Sequence, residues 1–141
     1  THFGLILVYL GGSIGFNSWL IKGFMDTISP SLDEAAKVDG ATEYQIFSKI
    51  IAPLSRPILV VIFVVTFIGI YSDFILAAIF LKDKNLWTVA VGINTVFVDD
   101  FNADWGVIAA SSVIAATPIA TLFIFFQKQI TGGLTAGSVK G

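Results

Sequence analysis

The 141-residue chain is 55% hydrophobic and 13% charged, with a mean hydropathy of +0.86. Soluble domains carry about 25% charged residues, so this composition indicates a membrane protein. The chain has no cysteine, a single histidine and a net charge of −2. These counts exclude a disulfide framework and a histidine-containing metal site, and they argue against nucleic acid as a partner.

The first predicted element is an apolar helix over residues 3–21, close to the roughly 20 residues that cross a bilayer. Because the chain begins with Thr1, without an initiator Met and with apolar sequence following at once, we expect it to be the C-terminal part of a longer protein. A signal peptide is the weaker interpretation, since no A-x-A-like cleavage site follows. Gly11 and Gly15 form a G-x-x-x-G pair that favours close helix packing, and Asn17 is the residue here most suited to contact a solute.

Residues 22–56 form a polar loop that the sequence divides into two short helices. Ser31 and Glu34 match the capping box S-x-x-E, which predicts a helix from Leu32. Gly40 is free to adopt the left-handed conformation and to end that helix. The first half of the loop is therefore predicted to be one short helix with a glycine corner after it.

A second capping box, Thr42 with Gln45, predicts a helix over about 43–52. Pro53 and Pro57 are expected to break this helix and to turn the chain into the next span. Its apolar residues recur at helical spacing: Tyr44, Phe47, Ile50, Ile51 and Leu54.

The second predicted span covers residues 57–81. Asp73 is the only ionisable residue well inside a predicted span, and such residues are functional candidates by default. Two interpretations stay open, a structural role and a place on the outer part of a translocation path. The neighbouring Tyr71 suits either a sugar contact or an anchor for the helix.

Residues 82–105 are predicted to be an outer loop, in which Trp87 and Trp105 suit the membrane interface. Periodicity does not decide between a short helix and a strand here, and Gly92 and Asn94 favour a bend. Its acidic end, DDFNAD, is either a solvated segment or a contact for another protein.

The third predicted span covers residues 106–126, and Pro118 is expected to kink it. The tail, 127–141, has little to bury and its composition is typical of disorder. The loop 22–56 and the tail hold six basic residues, against two in 82–105. The positive-inside rule therefore predicts a cytoplasmic loop 22–56 and a cytoplasmic C-terminus, in an all-α membrane protein with three spans.

Residues 34–53, EAAKVDGATEYQIFSKIIAP, resemble the EAA loop of ABC importer permeases, in which Glu-Ala-Ala, Gly and Ile-x-Leu-Pro follow at fixed spacing. Ala52 replaces the usual Leu. The ending GLTAGSVKG resembles the GLTAG-x-VKG of carbohydrate permeases of the maltose type. The residues that match the EAA loop in register are Glu34, Ala35, Ala36, Gly40, Ile50 and Pro53.

The resemblance implies part of a type I ABC importer transmembrane domain in the cell (inner) membrane, a non-catalytic permease subunit for maltose or maltodextrins. It implies as partners a dimer of ATP-binding subunits, a second permease subunit and an extracytoplasmic sugar-binding protein. No G-x-x-x-x-G-K-[ST] motif occurs, so ATP and Mg are expected in the partner ATPase and no cofactor in this chain.

The resemblance also implies site residues, which it groups by role. ATPase coupling is expected of Glu34, Ala35, Ala36, Asp39, Gly40, Phe47 and Pro53. Leu134 and Val139 are expected to anchor the tail on the ATPase, and Asn17, Tyr71 and Asp73 are candidates for the translocation path.

Three alternatives stay open at this stage. The first is an ABC permease for another sugar or polyol. The second is an ion-coupled secondary transporter, for which Asp73 is a lone intramembrane charge. The third is a membrane-embedded enzyme, which needs a convergent acid, base or metal set that the sequence does not display. Without the resemblance, residues 34–53 are equally well an ordinary interfacial loop in which Glu34 serves only as a cap.

Overall fold

The computed structural model describes the backbone of residues 1–98 and 105–136, and the side chains of residues 1–95 and 105–130. Every regular element in these ranges is helical, which agrees with the all-α prediction. The α-helices are α1 (His2–Met25), α2 (Pro30–Val38), α3 (Glu43–Ile46), α4 (Ala52–Leu54), α5 (Arg56–Tyr71), α6 (Ile75–Phe80), α7 (Val89–Val98) and α8 (Trp105–Ala136). A π-helical turn at Phe47–Ile51 and a 3₁₀ turn at Lys84–Leu86 complete the order.

Two of the described helices, α1 and α8, are long and apolar enough to cross a membrane. A third span arises only if Glu43–Leu54 and Arg56–Tyr71, which are bent by 60° relative to each other, count as one. The structure therefore supports two to three spans, against the three that were predicted. Both long helices extend past their predicted ends, α1 to Met25 and α8 to Ala136.

The predicted continuous helix over 57–81 is interrupted after Tyr71, and α6 begins at Ile75. Asp73 causes this break, because its Oδ1 accepts a hydrogen bond from the backbone N–H of Leu76 at 3.0 Å. Short polar side chains that bond nearby backbone groups compete with the helical ladder in this way. Asp73 therefore lies in a helix break and does not lie in the middle of a helix.

The predicted turn before Pro57 is confirmed by the 60° bend between Glu43–Leu54 and Arg56–Tyr71, whereas Pro53 acts differently from what the sequence predicted. Pro53 does not end its helix, because the turn before it widens into a π-turn in which the Ala52 N–H donates to the carbonyl of Phe47. A proline lacks the N–H of the regular ladder and crowds the carbonyl four residues back, and the wider turn accommodates both. The helix α8 continues through Pro118 without interruption.

The outer loop is helical where the sequence left a helix and a strand open. The 3₁₀ turn at Lys84–Leu86 begins with Asp83, whose Oδ1 accepts from the N–H of Asn85 at 2.9 Å. Gly92 and Asn94 lie inside α7, so the expected bend is not there. The acidic segment 99–104 and Val139 lie outside the described residues, and so does the side chain of Leu134.

The chain divides into two compact units, Thr1–Ser13 with Val64–Phe126 and Ile14–Phe63 with Gln127–Gly141. In the first unit, the buried core consists of Leu5, Ala77, Leu81 and Val91. The ring of His2 bonds the carbonyl of Leu86 at 2.8 Å, which ties the first turn of α1 to the 3₁₀ turn. The second unit contains the two short helices of the polar loop.

Candidate functional site

Residues 30–54 form a bent helical arm in the second unit, here called the arm. Its first helix, α2, starts at Pro30 after the N-cap Ser29, whose Oγ accepts from the N–H of Ser31. The predicted cap at Ser31 with Glu34 is therefore wrong by two residues, because Pro30 is preorganised for the first helical position. The carboxylate of Glu34 is consequently not used as a cap, and the residue is exposed.

The corner of the arm lies at Gly40, which has a φ of +79°. This confirms the prediction of a left-handed glycine. The N–H of Gly40 donates to the carbonyl of Lys37, and that of Ala41 to Ala36, both at 3.0 Å. A Cβ at Gly40 would meet nothing within 4 Å, so glycine is required here only by the left-handed backbone. Another residue in this conformation would cost about 1–2 kcal/mol.

The second helix of the arm begins with the predicted capping box. Thr42 Oγ1 accepts from the N–H of Gln45 at 3.4 Å, and Gln45 Oε1 accepts from the N–H of Thr42 at 2.9 Å. These two reciprocal bonds satisfy donors that a helix start otherwise leaves unpaired. The local sequence therefore determines where α3 starts.

The arm has a buried side and an exposed side. Ile46 is 1% exposed and Ala36 is 8% exposed, so both pack inside the unit. The sequence analysis missed Ile46 because regular helical spacing places Phe47 on the apolar face with Ile50 and Ile51. The π-turn rotates these side chains relative to a regular helix, and Phe47 is exposed instead. The spacing of Ile46 from Ile50 was the signal available.

The exposed side of the arm holds most of the predicted coupling residues. Glu34, Ala35 and Asp39 are exposed, and so are Phe47 and Pro53. Large apolar side chains of the arm are exposed as well: Val38 at 87%, Tyr44 at 79% and Phe47 at 56%. Of the Glu-Ala-Ala triplet, Glu34 and Ala35 are thus available to a partner, and Ala36 contributes to packing.

The base of the arm is joined to the end of α1 by a polar contact and an apolar cavity. Ser55 is 2% exposed, and its Oγ donates to the carbonyl of Ile51 at 2.8 Å and lies 3.8 Å from the sulfur of Met25. A cavity of about 200 Å³ lies nearby, lined among others by Met25, Ile28, Leu32, Ile46, Ile50 and Ile51. Sequence reasoning did not single out Ser55.

A three-charge ion network links the two helices of the arm. Lys37 Nζ lies 2.8 Å from Asp33 Oδ2 and 3.0 Å from Glu43 Oε1. The hydrogen bond to Asp33, followed by that to Glu43, raises the pKa of Lys37 above its ordinary value. Lys37 therefore holds its proton to a higher pH than a free lysine would.

The candidates for a translocation path are divided between the two units of the chain. Tyr71 stacks on Phe67 with ring centroids 5.6 Å apart and lines a cleft of about 250 Å³ together with Ser72. The remaining lining residues come from α7 and α8: Val89, Ala90, Ile93, Ala115, Ala116 and Ile119. Asp73 accepts the N–H of Leu76 in the first turn of α6, and the half-buried Asn17 belongs to the other unit.

Tyr9 is a polar residue of this region that sequence reasoning missed. Its ring packs against the core of the first unit, and its hydroxyl is buried without a hydrogen-bond partner among the described residues. Asp73 is the charged group that lies near this hydroxyl. In the described ranges, no three His, Asp or Glu side chains converge as a metal site would need.

Comparison with known proteins decides the family. A family model for the binding-protein-dependent transport system inner membrane component matches residues 1–135. The chain belongs to this family. The resemblance drawn from the EAA-like segment and the C-terminal ending is therefore confirmed, and the membrane location of the apolar helices agrees with it.

Several relatives are maltose/maltodextrin transport system permease proteins MalG. The protein of Vibrio vulnificus (strain YJ016) is 47% identical over 141 residues, which are 100% of this chain and 47% of the relative. Those of Yersinia pestis and Escherichia coli (strain K12) are each 45% identical over the same 141 residues, covering 46% and 47% of their lengths. The chain thus spans about half the length of these relatives.

Proposed function

We propose that this chain is part of the transmembrane permease subunit of an ATP-driven carbohydrate importer, with maltose or maltodextrins as substrate. Membership of the transport family and the identity to MalG proteins support this assignment. In this proposal the arm and the C-terminus are cytoplasmic. ATP and Mg are held by a separate pair of ATPase subunits, and a second permease subunit completes the path.

The observation that carries the proposal is the exposed side of the arm. A short bent helix pair that exposes Val38, Tyr44 and Phe47 in addition to Ala35 is poorly suited to remain in water. Clustered exposed apolar side chains mark interaction sites, and an amphipathic helix that enters an apolar groove is a recurrent recognition mode. We propose that this groove lies on the ATPase subunit.

Movement of the arm reaches the membrane helices through its base. The Ser55 hydroxyl donates to the last turn of the arm and contacts the sulfur of Met25, and the backbone N–H of Leu59 donates to the carbonyl of Ser55 at 3.1 Å. The arm therefore connects to the end of α1 and to the start of α5 at one point. A push on the exposed side would displace both helices together.

The remaining predicted residues take supporting roles in this mechanism. Gly40 sets the corner, Pro53 accompanies the widened turn, and Ala36 allows close packing inside the arm. Asp39 lies exposed at the corner, where a basic group of the ATPase would meet it. We propose that Leu134 and Val139 add a second contact with the ATPase from the tail.

For the path itself, we propose the cleft beside Tyr71 and Ser72 as the part of this chain nearest to the solute. An aromatic ring next to hydroxyl groups suits a sugar, which has apolar ring faces and polar edges. Asp73 and Asn17 remain candidates for the same path. A sugar-binding protein on the outer face would deliver the solute to it.

One other function fits the chain less well, and a second differs only in the solute. An ion-coupled transporter would need a carboxylate available to the ion, whereas Asp73 Oδ1 accepts the N–H of Leu76. An importer for another sugar or polyol is the same mechanism with a different solute. Uptake that persists in vesicles without ATP would favour the ion-coupled alternative.

The test uses the complete transporter in membrane vesicles with ATP on the ATPase side. Gly40→Val forces a β-branched residue into a left-handed conformation, which is a strong backbone outlier. We expect loss of ATP-driven maltose uptake at normal membrane insertion. Gly23→Val is the matched control, because a Cβ there also meets nothing within 4 Å and the backbone is helical.

A second measurement tests the contact itself. The chain has no cysteine, so Phe47→Cys places one thiol on the exposed side of the arm for crosslinking to the ATPase. The expected product is a crosslink that changes with bound nucleotide. Normal uptake by Gly40→Val, together with no crosslink from position 47, would overturn the proposed function.

A further inference from the structure

A single lysine joins the two helices of the arm across its corner. Lys37, near the end of α2, bonds Asp33 of the same helix at 2.8 Å and Glu43 at the start of α3 at 3.0 Å. The first pair is an ordinary i,i+4 contact within one helix. The second pair bridges the corner at Gly40, so it adds a side-chain link to the backbone bonds that Gly40 and Ala41 make there.

The position of these charges suits both helix ends. A cation in the last turn of a helix and an anion in the first turn of the next are each favoured by the helix dipoles. Lys37 and Glu43 occupy these two places. The same dipoles that stabilise each charge therefore draw the two side chains toward the corner between them.

The corner has few other restraints. Glycine is the residue with the greatest backbone freedom, and a Cβ at Gly40 would find only open space. Lys37 meets the corner twice, since its carbonyl accepts the N–H of Gly40 at 3.0 Å and its side chain reaches Glu43. Without the side-chain bridge, only the backbone bonds and the packing around Ile46 would hold the angle between α2 and α3.

We propose that Lys37 is a positioning residue that, through Glu43, holds the angle between α2 and α3 so that the arm transmits motion as one body. This inference rests on the proposed function, because Lys37 would determine how efficiently ATP hydrolysis is coupled to sugar transport in that mechanism. Lys37 does not need to touch the ATPase or the solute. Replacing Lys37 should therefore change the number of sugar molecules transported per ATP hydrolysed.

The experiment measures that ratio in vesicles with the complete transporter. Lys37→Met removes both pairs, and Glu43→Gln removes only the bridge across the corner. An exposed pair has a modest effect, so we expect each variant to lower the sugar-to-ATP ratio by about threefold, with normal assembly and an unreduced ATPase rate. Lys37→Arg keeps the charge and is expected to keep the ratio.

Asp33→Asn is the matched control, because it removes a partner of the same lysine without touching the bridge. We expect a ratio near that of the unchanged protein. The double variant Lys37→Met/Glu43→Gln should be no worse than either single variant, since residues of one pair are not additive.

The outcomes separate this inference from the proposed function. Equal losses in Asp33→Asn and Glu43→Gln, or an unchanged ratio in Lys37→Met, would overturn the role of the bridge. If Gly40→Val still abolishes uptake in that case, the arm keeps its proposed function. If Gly40→Val also has no effect, the proposed function itself fails.

Discussion

The arm and the break at residues 72–74 both interrupt helical structure, yet only the arm was visible in the sequence. In the arm, Gly40 and the capping box of Thr42 and Gln45 lie in a polar segment whose hydropathy already differs from that of the spans. At the break, one aspartate among apolar residues takes the N–H of Leu76. A helix end is easily recognised in the sequence where the composition changes. It is hard to recognise where a single side chain ends the helix within an apolar run.

The largest effect should come from the buried side of the arm. Ile46→Ala removes a side chain that is 1% exposed, and such truncations cost about 2–5 kcal/mol. We expect tryptic cleavage after the exposed Lys49 to become at least about 10-fold faster, since local opening exposes the chain to protease. The neighbouring Phe47→Ala, on the exposed side, should leave the cleavage rate unchanged; equal acceleration would mean that the two sides are assigned wrongly.

The next effect tests the break directly. Asp73→Ala leaves the N–H of Leu76 without its acceptor, at a cost of about 1–3 kcal/mol, and should lower the thermal midpoint of the purified transporter. Asp73→Asn keeps an acceptor oxygen and should restore most of that loss. A stable Asp73→Asn protein that no longer takes up sugar would instead make the charge part of the translocation path.

A smaller effect is expected from the cap of the second arm helix. Thr42→Ala removes the Oγ1 acceptor of the Gln45 N–H, which typically costs about 1 kcal/mol. Cleavage after Lys49 should become about fivefold faster, by the usual conversion of free energy into an equilibrium ratio. Ser48→Ala is the control, because its hydroxyl bonds only carbonyls of its own helix, and a similar acceleration there would contradict the capping role.

The smallest effect concerns Tyr9, next to the break. Its buried hydroxyl has no hydrogen-bond partner in the part of the chain that is described, so Tyr9→Phe removes a polar group without leaving another one unpaired. The thermal midpoint should stay the same or rise. A clear fall, absent when Asp73 is already replaced by Asn, would show that the hydroxyl bonds that carboxylate in the working protein.

A local feature could be predicted from the sequence where the groups that interact are close together along the chain. Gly40 and the Thr42–Gln45 box were predictable because the groups that satisfy them lie within a few residues. The cap at Ser29 was missed because two serines flank Pro30 and the second also matches a box. The break at Asp73 was missed because a run of apolar residues predicts a span by length alone.

By itself, the sequence determined the helical membrane class, the glycine corner with its capping box, and the transport family. These depend on hydropathy, on local hydrogen bonds and on a motif of fixed spacing. Only the tertiary structure decided that Ile46 and Ala36 are buried while Tyr44 and Phe47 are exposed, and that Lys37 meets Glu43. Such pairings depend on how a widened turn and a left-handed glycine rotate one helix against another, and local sequence patterns do not contain that rotation.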